Sequence, residues 1–308
     1  MQAFELHLMD NILSLHRDLI NKTYTHGPYH AFRISDPKPR SIHKASVRDR
    51  LLHHAIYRIF YPFFDRTFIA DSHSCRIGKG AHKALNRFRA FGRKASKNHT
   101  KTVFVLKGDV RKCFASVNQV VLMSILKKGI TNPDTLWLLE RVIMSFGSRR
   151  ERESLPATMQ SFGRGLPLGN LTSQLLINIY LNELDQFVKH RVKARYYIRY
   201  ADDFVIFSQN KEELKDILTL IDAFLQLNLR LTLHPDKVLV KTLASGVDFL
   251  GWVHFPDHRV LRTVTKKRMM KRIQETEWKE ETMASYLGML SHGNGRRLQG
   301  KILNVYGK

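Results

Sequence analysis

The chain has 308 residues, 43% of them hydrophobic and 25% charged, which is enough apolar material for a sizeable core and excludes a disordered chain. Lys and Arg number 51 against 27 Asp and Glu, a net charge of +24, and an excess of that size points to a polyanionic partner, nucleic acid before a membrane surface. No stretch has the apolar length of a transmembrane helix, the two cysteines (Cys75 and Cys113) make neither a disulfide framework nor a zinc site, and a reducing, cytoplasmic setting is expected.

The N-terminal segment MQAFELHLMDNILSLHRDLI carries Glu5, Asp10 and Asp18, unlike a secretory signal, and spaces Phe4, Leu8, Ile12, Leu15 and Leu19 along one helix face. THGPYHAFRISDPKPR, rich in Pro, Gly and basic residues, reads as a loop. RDRLLHHAIYRIFYPFF is helical by the spacing of Leu51, Leu52, Ala55, Ile56, Ile59 and Phe60, with Pro62 bending or ending it. DSHSCRIGKGAHKALNRF reads as a basic loop with Gly78 and Gly80 feeding a helix. That combination suits phosphate binding through backbone N–H groups, although a plain surface loop has the same appearance. It lacks the frame of a Walker loop. TVFVL is a buried strand running directly into Asp109. Helical segments follow to about residue 147, then the polar, basic stretch GSRRERESLPATMQSFGRG.

GLPLGNLTSQLLINIYLNELDQFVKH begins as a turn and becomes a long helix with Leu171, Leu175, Ile179 and Phe187 near one face. RYYIRY and FVIF are strands, with ADD as the hairpin tip between them. KEELKDILTLIDAFLQLNL is an amphipathic helix, and RLTLHPDKVLV and VDFLGWVHF read as strands. The tail from Arg262 is helical, with eleven basic against four acidic residues, suited to gripping a duplex backbone. This order predicts an α+β fold: a central antiparallel sheet backed by helices.

In such a sheet the end of one strand can lie beside the tip of a neighbouring hairpin, which would bring Asp109 near Asp202. Clustered carboxylates repel one another unless a cation neutralises them, and hard oxygen ligands suit Mg²⁺. Two such ions can activate a 3′-hydroxyl and stabilise an in-line phosphoryl transfer. Adjacent strand residues point to opposite sides, so one tip aspartate is expected to be the main ligand, and Asp202 is assigned that role. Alone, an ADD tip is an ordinary acidic turn. The strand-terminal Asp109, the basic loops and the basic tail decide for the cation site.

With these residues in view the chain resembles the reverse transcriptases. YADD between two strands looks like their catalytic motif, VFVLKGDVRKCF like their first aspartate motif, and GLPLGNLTSQ like the motif that follows. FLGW resembles the later primer-contacting motif, and DSHSCRIGKGAHKAL the fingers motif of bacterial and intron-type enzymes. These run in family order over roughly residues 40 to 255. Many relatives carry QGxxxSP where this chain reads LGNLTSQ, with Leu168 for the glutamine and Gln174 for the proline. Together with SIHKASVRDRLLHHAI upstream and SYLGMLSHGN downstream, that pattern is similar to the reverse transcriptases of diversity-generating retroelements.

The resemblance implies a right-hand polymerase architecture: an N-terminal helix over 1–24, fingers over 25–100 with part of 130–165, an antiparallel-sheet palm over 101–129 and 166–261, and a small basic helical thumb over 262–308. It implies a bacterial or phage-encoded enzyme that copies a template-repeat RNA into cDNA with frequent errors at adenines, to replace a variable region of a target gene. Its partners would be template RNA, a primer, dNTPs and a small basic accessory protein, with no membrane. Asp109, Val110, Asp202 and Asp203 would hold two Mg²⁺ ions, with Mn²⁺ able to substitute, and Lys237 would be a catalytic lysine near the pyrophosphate. Arg76 and Lys79 would hold the triphosphate, and Phe114 would be a steric gate against a 2′-hydroxyl. Leu168, Gly169 and Gln174 would line the nucleotide pocket, the apolar Leu168 relaxing fidelity. Tyr200, Ala201, Phe249, Leu250, Gly251 and Trp252 would position the primer.

Each has an ordinary alternative. Phe114, Tyr200 and Leu168 could be packing residues, Arg76 and Lys79 solvated loop charges, Lys237 a strand-edge lysine and Gly169 a turn glycine. Only 56 residues follow Trp252, so a polymerase without an RNase H or endonuclease domain is expected. A group II intron or retron reverse transcriptase is the alternative within the class. A noncatalytic RNA-binding protein on the same fold is the alternative outside it.

Overall fold

The computed structural model describes residue 4 and residues 6–35, 39–147 and 163–306, so most of the basic stretch GSRRERESLPATMQSFGRG lies outside the described residues. The first helix, α1 (Leu8–Ile20), forms where the apolar spacing predicts, but Leu8 and Ile12 are exposed and only Leu15 of the helix is buried. The segment expected to be a loop folds instead as a hairpin, β1 (His30–Ile34) and β2 (Arg40–Lys44). Its strands are largely exposed on both sides, so no buried face imposes the two-residue apolar alternation by which strands are recognised. Helix α2 (Val47–Asp65) starts at Ser46, whose hydroxyl accepts from the Asp49 N–H. Pro62 does not end it; the helix runs on to Asp65, where a missing N–H disturbs only the last turn.

Next come α3 (Ala81–Ala95), β3 (Phe104–Asp109), the single turn α4 (Cys113–Ser116), α5 (Gln119–Gly129) and α6 (Pro133–Met144). Asn118 and Asn132 cap the last two with their side chains. Helix α7 (Leu171–Gln186) is not one-faced as expected. Every residue from Leu175 to Leu181 is buried, which makes it a central helix. Strands β4 (Tyr196–Tyr200) and β5 (Asp203–Ser208) form the expected hairpin. Helix α8 (Lys211–Leu229) begins at Asn210, which accepts from the Glu212 and Glu213 N–H groups, and those two acids suit the positive end of the helix dipole.

RLTLHPDKVLV is not a single strand. Leu233 bridges to Val110, Pro235–Lys237 form a 3₁₀ turn, and only β6 (Leu239–Thr242) joins the sheet, because Pro235 cannot donate to a ladder. VDFLGWVHF is two strands, β7 (Val247–Phe249) and β8 (Trp252–His254), to which β9 (Arg259–Leu261) adds a third. Helices α9 (Thr263–Glu275), α10 (Glu280–Leu290) and α11 (Arg296–Tyr306) complete the chain, as its helical reading predicts.

The central sheet has the order β4–β5–β3–β6 and is antiparallel throughout. On one face Leu106, Tyr197, Phe204 and Ile206 pack with α7 and α8. On the other, Val105, Ile198, Val205 and Phe207 pack with α3 and the β7–β8 hairpin. Both faces are covered, which is why TVFVL and FVIF read as continuous apolar runs rather than alternating ones. A smaller core of Met269, Ile273, Met283, Leu290 and Ile302 holds the C-terminal helices together.

Candidate active site

The sheet register sets Asp109 directly opposite Asp203, and opposed residues of an antiparallel pair share a face. The Val110 N–H donates to the Asp202 carbonyl at 3.1 Å, so all three aspartates meet at one end of the β3–β5 pair. Gly108 makes this close pairing possible. It lies opposite Phe204, and a Cβ there would sit 2.2 Å from the Phe204 ring.

The tip is held from below by a residue that the sequence reading missed. Arg199 is 1% exposed. Its Nε and one Nη grip the Asp185 carboxylate at 2.7 and 2.6 Å, the bidentate geometry that guanidinium favours. That same Nη donates to the Ser72 hydroxyl, and the other Nη donates to the Ala201 carbonyl, each at 3.0 Å. Ala201 has φ 53°, a left-handed conformation that costs a residue with a Cβ energy unless its surroundings enforce it. Arg199 also pairs by backbone with Asp71 and His73, each at 3.0 Å, which ties the loop that precedes α3 to the edge of β4. The one available signal was a basic residue inside the otherwise apolar and aromatic run YYIRY.

Burial raises the Asp203 carboxyl to about 6, with Asp109 and Asp202 adding to the rise and Lys107 opposing it. Burial also raises Asp202, helped by the neighbouring Asp109 and opposed by Lys237 and Arg40. Lys237 Nζ donates to Asp109 Oδ1 at 2.8 Å, and Lys107 Nζ lies 3.8 Å from Asp203 Oδ1. That oxygen is buried and accepts no hydrogen bond. Lys107 and Arg40 were not singled out from the sequence. Lys107 follows from strand alternation with Asp109, whereas Arg40 could not be found because its strand was read as loop.

Among the described residues no three His, Cys, Asp or Glu side chains are drawn together closely enough to form a ready cation cage. The donor set nevertheless fits a hard divalent cation. It consists of carboxylates that burial and mutual repulsion push toward protonation, an orphaned buried oxygen, and an ammonium on the remaining acid.

The other expected residues fall around this end of the sheet in different ways. Arg76 is not a free loop charge. Its guanidinium is engaged by Asp65 Oδ1 at 2.6 Å and by the carbonyls of Ile69 and Ser72, and its side chain is 6% exposed. Lys79 reaches the Ala70 carbonyl at 2.8 Å. Phe114 packs half-buried against the main core, and its carbonyl accepts from Leu166 N–H at 2.8 Å.

The 168–174 segment is sewn to β2. His43 N–H donates to the Leu168 carbonyl at 2.9 Å, and Asn170 donates through Nδ2 to the His43 carbonyl at 2.7 Å. Asn170 stands at the start of α7 without capping it. Gly169 has φ 107°, and a Cβ there would lie 2.6 Å from Ile42, so its missing side chain serves the approach of the β1–β2 hairpin. Gln174 is half-buried one turn into α7. Tyr200 and Leu250 pack on the second core, Phe249 and Trp252 are buried within it, and Leu250 and Gly251 form the β7–β8 tip with positive φ.

Half-buried, mutually repelling carboxylates at the end of an antiparallel sheet, in a chain of +24 charge, suit the class of site found in nucleic-acid polymerases. The family model described as "Reverse transcriptase (RNA-dependent DNA polymerase)" matches residues 34–254, and the chain belongs to that family. It is 25% identical over 297 residues to Protein YkfC of Escherichia coli, covering 84% of this chain and 72% of that protein. It is 24% identical to the group II intron-encoded protein LtrA of Lactococcus lactis, covering 85% of this chain and 52% of LtrA. Among solved structures, telomerase from Candida albicans superposes with a TM-score of 0.54 at 12% identity, covering 91% of this chain and 55% of that one. That likeness is one of fold. The chain thus spans about half the length of LtrA and of the telomerase chain.

Proposed function

We propose that the chain copies a template-repeat RNA into error-prone cDNA, with Asp109, Asp202 and Asp203 as its catalytic carboxylates and the Val110 backbone beside them. The observation that carries the catalytic part is the cross-strand pairing of Asp109 with Asp203, next to Asp202, at a half-buried end of the sheet. When bound there, Mg²⁺ (or Mn²⁺ in its place) would supply activation of the primer 3′-hydroxyl and charge neutralisation at the phosphates. The chain's own part is to hold the carboxylates rigidly through Arg199 and Gly108. Lys237, which donates to Asp109, would serve a leaving pyrophosphate. Arg40, close enough to bias Asp202, and Lys79 are the cations best suited to the triphosphate, while Arg76 shapes the loop that carries Lys79. Phe114 would be the gate against a 2′-hydroxyl, and Leu168, Gly169 and Gln174 the floor of the nucleotide pocket. Tyr200, Ala201 and the Phe249–Trp252 hairpin would seat the primer end, with Leu250 and Gly251 presented and Phe249 and Trp252 supporting them from the core.

On this reading residues 25–100 with part of 130–165 are fingers, 101–129 and 166–261 palm, and 262–308 a basic thumb, preceded by the 1–24 helix. The diversity-generating subclass rests on LGNLTSQ, and a small basic accessory protein sharing the RNA belongs to it. A second reading, a group II intron-type reverse transcriptase, is favoured by the likeness to LtrA. Sequencing cDNA made by the wild type and by Leu168→Gln on one RNA template separates the two. The proposal expects errors concentrated at template adenines in the wild type and fewer in the variant. Uniformly low errors in both would favour the intron reading.

A further inference from the structure

A second cationic cleft, sharing no residue with the carboxylate cluster, opens where α3 meets the β8–β9 turn and the α10–α11 connection. It has a volume of about 250 Å³ and is lined by Arg89, His254, Asp257, Arg259, His292 and Asn294 among others, many times the ~10–15 Å³ that a single water needs.

Its floor is built rather than incidental. Arg259 is fixed on two edges: Nε donates to the His292 carbonyl, and Nη2 donates to Asn86 Oδ1 at 3.2 Å. The guanidinium lies 5.7 Å from the Trp252 ring centroid. Its remaining nitrogen, Nη1, is buried and has no partner. Beside it His254 is 2% exposed, and its Nε2 is likewise buried and unpartnered. Two unsatisfied polar groups at one spot are costly in the absence of something to bond.

The rim repeats the pattern. Arg89 donates, among the described residues, to the Asp257 carbonyl alone, at 3.4 Å. Among the described residues neither Arg89 nor Arg259 is paired with a carboxylate. Burial and the nearby Arg89 both lower Arg259, so the two cations press on each other without an anion between them. The one acid at the rim, Asp257, is held by His258 Nδ1 at 2.7 Å.

The walls belong to different parts of the chain. His82, Asn86 and Arg89 sit three and four residues apart on one face of α3. His82 stacks on His292 at 3.7 Å, and Asn294 N–H donates to the Arg259 carbonyl at 2.8 Å. A ligand here would therefore bridge the sheet domain and the C-terminal helices.

We propose that this cleft is a phosphate-binding site, with Arg259 as its floor and Arg89 as its rim. The unpartnered Nη1 of a fixed guanidinium can donate to a phosphate oxygen, and a second arginine without a carboxylate partner supplies the remaining charge. The phosphate can come from a nucleic-acid backbone or from a free phosphate. Both share this chemistry, and the site does not depend on the polymerase reading.

The test titrates inorganic phosphate into the full chain in chelator, with binding read by ³¹P NMR. The wild type is expected to show saturable binding at one site, at least tenfold weaker in Arg259→Gln, severalfold weaker in Arg89→Gln and unchanged in Asp202→Asn. Arg89 is exposed, so its variant keeps the fold even if Arg259→Gln does not. A second arm measures RNA–DNA duplex affinity against salt in chelator. A slope smaller by about one in Arg89→Gln assigns the phosphate to the duplex backbone. An unchanged slope with weakened inorganic phosphate binding assigns it to free phosphate. Phosphate binding that is absent in the wild type, or the same in wild type and Arg89→Gln, would overturn the proposal. Loss of primer extension bears on the carboxylates and leaves this result standing.

Discussion

Replacing Arg199 by leucine separates two roles of one side chain. In the wild type it neutralises Asp185, which is 0% exposed, and it holds the Ala201 carbonyl at the hairpin tip. Arg199→Leu leaves the Asp185 carboxylate buried with the Tyr197 hydroxyl at 2.7 Å as its remaining hydrogen bond. Breaking a buried pair in this way costs about 3–5 kcal/mol, a large part of the ~5–15 kcal/mol that holds a domain together. With an m-value of about 3 kcal/mol/M for a chain of this size, the urea midpoint should fall by ~1–2 M.

The triple variant Arg199→Leu/Asp185→Leu/Tyr197→Phe removes the charges and the hydroxyl together. Well-packed apolar replacement of a buried ion pair is often neutral or better, so its midpoint should recover most of the loss, short of wild type because the Ser72 hydroxyl and the Ala201 carbonyl lose their Arg199 donor. Its primer extension should not return, because the Ala201 carbonyl loses its Arg199 donor at the hairpin tip; a loss of roughly tenfold or more corresponds to ~1.4 kcal/mol of misplacement. Urea unfolding followed by circular dichroism, beside primer extension on an RNA template, reads both quantities. A single variant that loses less than ~1 kcal/mol, or a triple variant with full activity, would refute the reasoning.

Two further outcomes follow from the same end of the sheet. Gly108→Ala would drive a methyl group into the fully buried Phe204 ring and should cost about 1–3 kcal/mol by overpacking, with Phe204→Leu restoring part of it in urea midpoints; an unchanged midpoint contradicts the close pairing. In chelator, Asp203 itself should subtract stability as pH rises from about 4 to about 6, because its folded carboxyl keeps a proton that the unfolded chain has already lost, whereas the buried His53, His73 and His254 add stability over that range. Relative to the wild type, Asp203→Asn should gain stability as pH rises through that range and be more stable at pH 7 by roughly 1–3 kcal/mol, a range reduced for its partial exposure. Added Mg²⁺ should stabilise the wild type and not the variant. Equal pH profiles in chelator would count against the repulsion described.

The carboxylates were readable because their positions follow from local pattern. TVFVL ends at Asp109, and ADD separates two apolar runs, so register alone brings them together. Arg199 and Asp185 were not readable in that way. Their pairing depends on α7 docking beneath β4, and neither residue belongs to a periodic signal. The β1–β2 hairpin escaped because both of its faces are largely exposed, and Arg40 escaped with it. Arg76 shows the converse: a basic residue in a glycine-bearing loop suggests phosphate, and only the fold reveals that Asp65 has claimed its guanidinium.

The most direct measurement is dNTP incorporation by the full chain on a primed RNA template with Mg²⁺, comparing the wild type with Asp202→Ala and Asp109→Ala. Templated DNA synthesis by the wild type, and none above background by either variant, is the expected result. Equal incorporation by wild type and variants would contradict catalysis at this site.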